Sequence, residues 1–374
     1  MVWANRFRVS FCVVLSFLAA SPVRASEEVE QFCTMELVPA MKVAMAERSE
    51  ARKDRLLHAH RDRVLAGLPA VKFSEAKQVL VEATGLPRVE YQNFLREYFR
   101  GLEAKVEWGD GKRVLASLMH DVIASQAGAV ETKSDLRARV DEDSIVSFSA
   151  FLPLLEKMSD RDFRAQRQIL AGACGGDGLA PGGIAFPLGS RKVFAFCPGA
   201  VLRASVVESS DGVKWASTVS VDGLLFTAFH EFGHLLGADR FSSLRPLHSG
   251  LVTCLNSRMV PFGENYTDEV LADFWGSVAL VHAMDRRGLS DEAAMDLMAV
   301  NLSPFRNGSM GSPHHLPYGS RQQVVLAEVC RYLRREKLGN RDCRLRLGEE
   351  EGYLPGRPNP DDAESTLAQW SGEN

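Results

Sequence analysis

The chain has seven cysteines but no C-x-x-C pair, so a zinc site built from thiolates is not expected. After residue 20 it has no apolar run long enough to span a bilayer, which excludes a later transmembrane helix. It has no excess of either charge. Its 44 Lys and Arg stand against 48 Asp and Glu, a net of −4, and nothing in that balance points to nucleic acid. The glycine-rich stretch Gly172 to Gly183 lacks a G-K-[ST] ending and a directly following helix, so it is not read as a phosphate-cradling loop.

What is there begins with a targeting segment. Arg6 and Arg8 precede the apolar run Val9 to Ala20, which is too short for an ordinary span. Val23-Arg24-Ala25 closes it with a small residue. This pattern predicts a signal peptide over 1–25, a mature protein from about Ser26, and export to the periplasm or medium. No stable membrane span is expected after cleavage. Six cysteines then remain: Cys33, Cys174, Cys197, Cys254, Cys330 and Cys343. An even number in an exported chain points to as many as about three disulfides, with roughly fifteen connectivities open. Cys174–Cys197 and Cys330–Cys343 are the pairs nearest in sequence.

Residues 26–171 read as a mainly helical region, with breaks at Leu86-Pro87, Gly109-Asp110-Gly111 and Gly128,. His58 and His60 fall in a strongly basic helix, Glu47 to Val64, and are expected as solvated surface residues. Two β-type runs follow the glycine-rich stretch: Ile184-Ala185-Phe186 and Lys192 to Phe196, with Pro187, Gly189 and Ser190 between them as turn material,. Helices are then expected over Leu224–Leu236, Asp268–Arg287, Glu292–Val300 and Arg321–Arg335. Strands followed by helices make 172–348 an α+β unit. Residues 349–374, rich in acidic residues, Pro and Gly, read as a loose tail.

The chemistry centres on His230-Glu231-Phe232-Gly233-His234. Residues i and i+4 of a helix project from one face, so both imidazoles can reach one zinc ion. Glu231, beside them, can act on a water held at the open side of that metal. A catalytic zinc usually has three protein ligands. Glu269 is the candidate for the third, on a helix whose start Thr267 or Asp268 can cap. Asp273 lies four residues on, on the same face, where it can accept the N–H of a ligating histidine. A histidine six residues after His234 would be the competing ligand, but that position is Arg240. His248 is a weaker candidate still, because its spacing fits neither pattern.

H-E-x-x-H followed by E-x-x-A-D on a second helix resembles the gluzincin metallopeptidases, especially the neprilysin-like group. The segment Ile184 to Gly199 is similar to that group's edge-strand region, although its substrate-binding Asn is not preserved near Gly183-Ile184-Ala185. Ser312 to Arg321 is similar to a segment that supplies a His and, six residues later, an Arg. The resemblance spans about 183–343. It implies a zincin-type domain preceded by the helical region, with His230, His234 and Glu269 on one zinc ion. It further implies Glu231 as general base, Asp273 orienting a ligand, His315 stabilising the oxyanion and Arg321 binding a substrate carbonyl. His314 is the alternative if the register differs by one. The expected partner is a peptide or protein substrate. Two other functions remain open: a catalytically silent zincin-fold scaffold of the cell envelope, and a zinc amidase acting on cell-wall peptides.

Overall fold

The computed structural model describes residues 47–68, 78–127, 140–155, 170, 172–188, 191–209, 212–236 and 263–302. The first helix, α1 (Glu47–Gly67), is polar on most of its surface but buries Leu57, His60 and Arg61 along one stripe. The short α2 (Val79–Ala83) follows, and Pro87 then stands before α3 (Arg88–Glu103). Proline has no N–H to leave unpaired at a helix start and biases the preceding residue away from helix, so the break at Leu86-Pro87 falls where the sequence predicts it. Tyr91, Phe94, Leu95, Tyr98, Phe99 and Leu102 of α3 are buried. Their spacing of three and four marks one apolar face.

Helix α4 (Gly111–Ala127) leads to a 3₁₀ turn at Glu142–Ser144, strand β1 (Ile145–Ser147) and α5 (Phe148–Leu155). Strands β2 (Gly183–Leu188) and β3 (Arg191–Phe196) form the expected hairpin. Helix α6 (Pro198–Ala204) and a second hairpin, β4 (Val206–Ser209) with β5 (Gly212–Trp215), come next. A 3₁₀ turn at Val221–Leu224 enters α7 (Leu225–Leu236), and α8 (Gly263–Arg287) and α9 (Asp291–Leu302) complete the described residues.

The architecture is mixed α and β. Its main sheet has the order β1-β3-β2, with β1 parallel and β2 antiparallel to β3. One strand therefore comes from before the boundary expected at 171/172 and two from after it. The central strand explains how the layers form. Side chains of a strand alternate between faces. In β3, Phe194 and Phe196 join one buried core, shared with α4, α7, α8 and α9. Val193, Ala195 and, just beyond the strand, Cys197 join the other, shared with α1, α3 and α5. A strand covered on both faces has to be apolar throughout, and Val193 to Cys197 is.

Two expectations need correction, and one element is new. His60 is buried, not solvated: its Nε2 lies 2.9 Å from the Leu102 carbonyl and its ring meets Trp215 edge-on at 5.7 Å. Neighbours remote in sequence chose that face of an otherwise basic helix. Helix α8 begins at Gly263, so Thr267 and Asp268 are inside it and not at its cap. The hairpin β4–β5 was not anticipated. Of the two disulfide pairs, Cys174–Cys197 is present. The signal segment, Cys330–Cys343, residues 321–335 and the tail lie outside the described residues. No helix among the described residues is long and apolar enough to cross a membrane.

Candidate metal centre

The site forms where α7 and α8 cross, and two glycines allow them to touch. A Cβ on Gly233 would lie 2.6 Å from the Ala272 Cα, and one on Gly276 would lie 2.7 Å from the Phe226 ring. Real side chains do not approach that closely, so each position keeps the helices at backbone contact. Gly233 lies between His230 and His234, and Ala272 lies between Glu269 and Asp273. The contact therefore sets the two pairs of polar side chains against each other. Helix α7 is buried on nearly every side from Leu225 to Gly233, and its start is held by Asn301 of α9. The Asn301 Oδ1 accepts the Phe226 N–H at 2.9 Å, while its Nδ2 donates to the Asp222 carbonyl at 2.6 Å. One side chain thus satisfies an amide of the first turn that has no partner within the helix.

Three ligand atoms converge. The Nε2 atoms of His230 and His234 are 3.3 Å apart. Glu269 Oε2 lies 3.2 Å from the first and 3.6 Å from the second. This group can hold a metal ion. Asp273, 1% exposed, lies on the far side of His230 with Oδ1 2.9 Å from Nδ1. The Nδ1–H donates to it, which leaves Nε2 as the atom that faces the other two ligands. The His234 side chain is 28% exposed, against 8% for His230, so the centre opens on the His234 side.

Charge on His230 answers to this surrounding. Burial favours its neutral form, but the hydrogen bonds to Asp273 and Glu269 and the charges of Asp273 and Glu231 outweigh that and raise its pKa to about 10. In the metal-free chain these carboxylates favour the protonated form of His230, whose Nε2–H would face Glu269. A cation bound by the three ligands would take the place of that proton.

Glu231 is turned toward the sheet. Its Oε2 accepts the backbone N–H of Ala185 in β2 at 3.1 Å. Gly183 makes room for it, since a Cβ there would lie 3.1 Å from the Glu231 Cγ. The structure thus brings together five of the seven site residues expected from the sequence: His230, Glu231, His234, Glu269 and Asp273. His315 and Arg321, with His314 and His248, lie outside the described residues. Sequence reasoning missed Asn301, the Ala185 amide and the Gly233–Ala272 contact. Small residues midway between paired ligands were the available signal for the last; nothing local marks the first two. No known family, no characterised protein and no solved structure matches this chain.

Proposed function

We propose that this chain is an exported, zinc-dependent peptide hydrolase of the gluzincin kind. The observation that carries the reading is the ligand triangle, with edges of 3.2, 3.3 and 3.6 Å. Zinc binds His and Glu at about 2.0–2.2 Å in a tetrahedron, which places ligand atoms roughly 3.3–3.5 Å from one another. Two imidazoles and one carboxylate form a donor set that suits zinc, and three protein ligands leave the fourth position for chemistry. The Asp273–His230 bond supports the same reading, because it fixes the tautomer in which Nε2 is the ligand. The Cys174–Cys197 disulfide fits an exported chain,.

A bound zinc ion would supply Lewis acidity and make a water acidic enough to attack near neutral pH. Glu231 takes the proton of the attacking water and passes it to the leaving amine. Its carboxylate needs a fixed position for both transfers, and the Ala185 amide gives it one. By resemblance, His315 stabilises the oxyanion and Arg321 holds a substrate carbonyl.

The test is cleavage of a diverse peptide mixture by the zinc-loaded chain beside Glu231→Gln. The variant should retain zinc and lose about 10²- to 10⁴-fold in turnover. Normal turnover by the variant would sink the assignment. Zinc bound in both with no cleavage by either would favour a silent scaffold, and cell-wall fragments would then separate out an amidase.

A further inference from the structure

We propose that Asn301 of α9 is a positioning residue for the metal centre, which sets the orientation of the His230 imidazole through Phe226. The inference rests on the metal-binding half of the reading above and not on hydrolysis.

Phe226 and Asp222 stand at i and i−4, the pair whose N–H and carbonyl meet in a continuous α-helix. The Asn301 side chain engages both. Its Oδ1 accepts the Phe226 N–H, and its Nδ2 donates to the Asp222 carbonyl. The Nδ2 also donates to the Leu297 carbonyl of α9 at 2.9 Å. The oxygen and the nitrogen of the amide are thus both committed, and a flipped amide would break every one of these bonds. The side chain is 2% exposed, so bulk water cannot take them over. A side chain set into the helical ladder fixes the path of the backbone at that point. Here the point is where the 3₁₀ turn Val221–Leu224 gives way to α7.

What is fixed at the Phe226 backbone is passed on by its ring. Phe226 precedes His230 by one helical turn, and their ring centroids lie 6.2 Å apart with 31° between the planes. On its other side the Phe226 ring occupies the space that a side chain at Gly276 would need, since a Cβ there would lie 2.7 and 2.8 Å from two ring carbons. The ring is therefore caught between the backbone of α8 and the imidazole. Asp273 holds the Nδ1 edge of the same imidazole, which directs Nε2 toward His234 and Glu269. A hydrogen bond at one nitrogen leaves the ring free to tilt about that bond. A neighbour on its flank removes that freedom, and metal affinity follows how firmly a ligand is held. Asp273 sets the tautomer, Phe226 limits the tilt, and Asn301 keeps Phe226 in place.

The test uses the full chain, with cobalt(II) as a spectroscopic stand-in for zinc. Zinc affinity is read by competition with a chromophoric chelator, and ligand geometry by the visible bands of the cobalt-loaded chain. Asn301→Ala should weaken zinc about tenfold and alter the cobalt bands. Phe226→Leu leaves the Asn301 bonds in place and should alter the bands in the same way. Arg61→Met is the control for lost stability, since it strikes α1, which packs in the other core, and it should keep wild-type affinity and bands. Bands that change alike in all three variants would mean general loosening and would overturn the proposal, as would wild-type bands in Asn301→Ala. If Asn301→Ala does not fold, Phe226→Leu decides, and wild-type bands there would overturn it. Failure of the larger reading looks different. A wild-type chain that binds neither metal would remove the centre and this inference with it. Metal bound without peptide cleavage would sink the hydrolase and leave the positioning of His230 standing.

Discussion

Asp273 and Asp177 are both largely buried carboxylates facing a histidine, yet they serve opposite ends. Around Asp273, two histidines and a second carboxylate turn acceptor atoms toward one point. Only a proton or a metal ion can occupy it without leaving like charges together. Around Asp177 a permanent cation already stands: Arg61, 7% exposed, donates to the Asp177 Oδ2 at 2.8 Å and shares its guanidinium with Asp62, whose Oδ1 accepts at 2.7 Å, while the Leu179 N–H donates to the Asp177 Oδ1 at 3.0 Å. The Tyr98 hydroxyl donates to its backbone carbonyl at 2.7 Å, and His58 stands 3.6 Å off. That cluster latches α1 and α3 to the glycine-rich segment that leads into β2, and the Cys174–Cys197 disulfide fastens the same segment to α6. Whether a buried carboxylate makes a ligand site or a latch depends on whether a permanent cation already stands beside it.

Four substitutions probe that contrast. Glu269→Ala removes a ligand and should cost the most, lowering zinc affinity by more than the roughly 100-fold typical of a supporting residue; full zinc occupancy by metal analysis at equimolar zinc would remove Glu269 from the ligand set. Asp273→Asn keeps the shape but not the charge, so affinity should fall about 10- to 100-fold. It should also change the protons released. With its pKa raised to about 10, His230 is protonated at pH 7 in the metal-free chain and must lose that proton to bind zinc,. Calorimetry in buffers of different ionisation enthalpy should show about one proton released by the wild type and less by the variant.

Arg61→Met strikes the latch instead. Leaving Asp177 without its cation should cost about 2–3 kcal/mol of stability in urea unfolding, while zinc affinity stays as it was. A variant that unfolds as the wild type does would show the latch to be ornamental. The smallest effect belongs to His60. Burial lowers its pKa below the ordinary value, against the pull of the Leu102 carbonyl. Its contribution to stability is therefore present above the unfolded value near 6.5 and is lost as pH falls through the lowered folded value. His60→Gln should flatten the decline of the unfolding midpoint below about pH 6.5; an unchanged pH slope would count against this account.

The elements around the site differ in how strongly local sequence marks them, for physical reasons. The strands of the β2–β3 hairpin are short, β-rich and bounded by turn residues, so their signal is local. The start of α8 was misplaced because Thr267 and Asp268 carry a cap signal that the helix overrides. The hairpin β4–β5 passed unnoticed because its strands are four residues each and only partly buried. His60 misled because a helix crowded with Arg and Lys hides which stripe the rest of the chain will cover.

Local pattern is enough to put His230 and His234 on one helix face, Glu269 and Asp273 on another, and Glu231 beside the first pair. Helical periodicity alone settles such relations, since they hold within two turns of backbone. It takes packing to bring the two faces together, to carry Asp273 to His230 and Glu269 to both histidines, and to turn Glu231 to the Ala185 amide. Those relations depend on how closely Gly233 and Ala272 approach and on the side of β2 that β3 leaves open. Contacts between segments tens of residues apart are set by packing, and no local pattern encodes them.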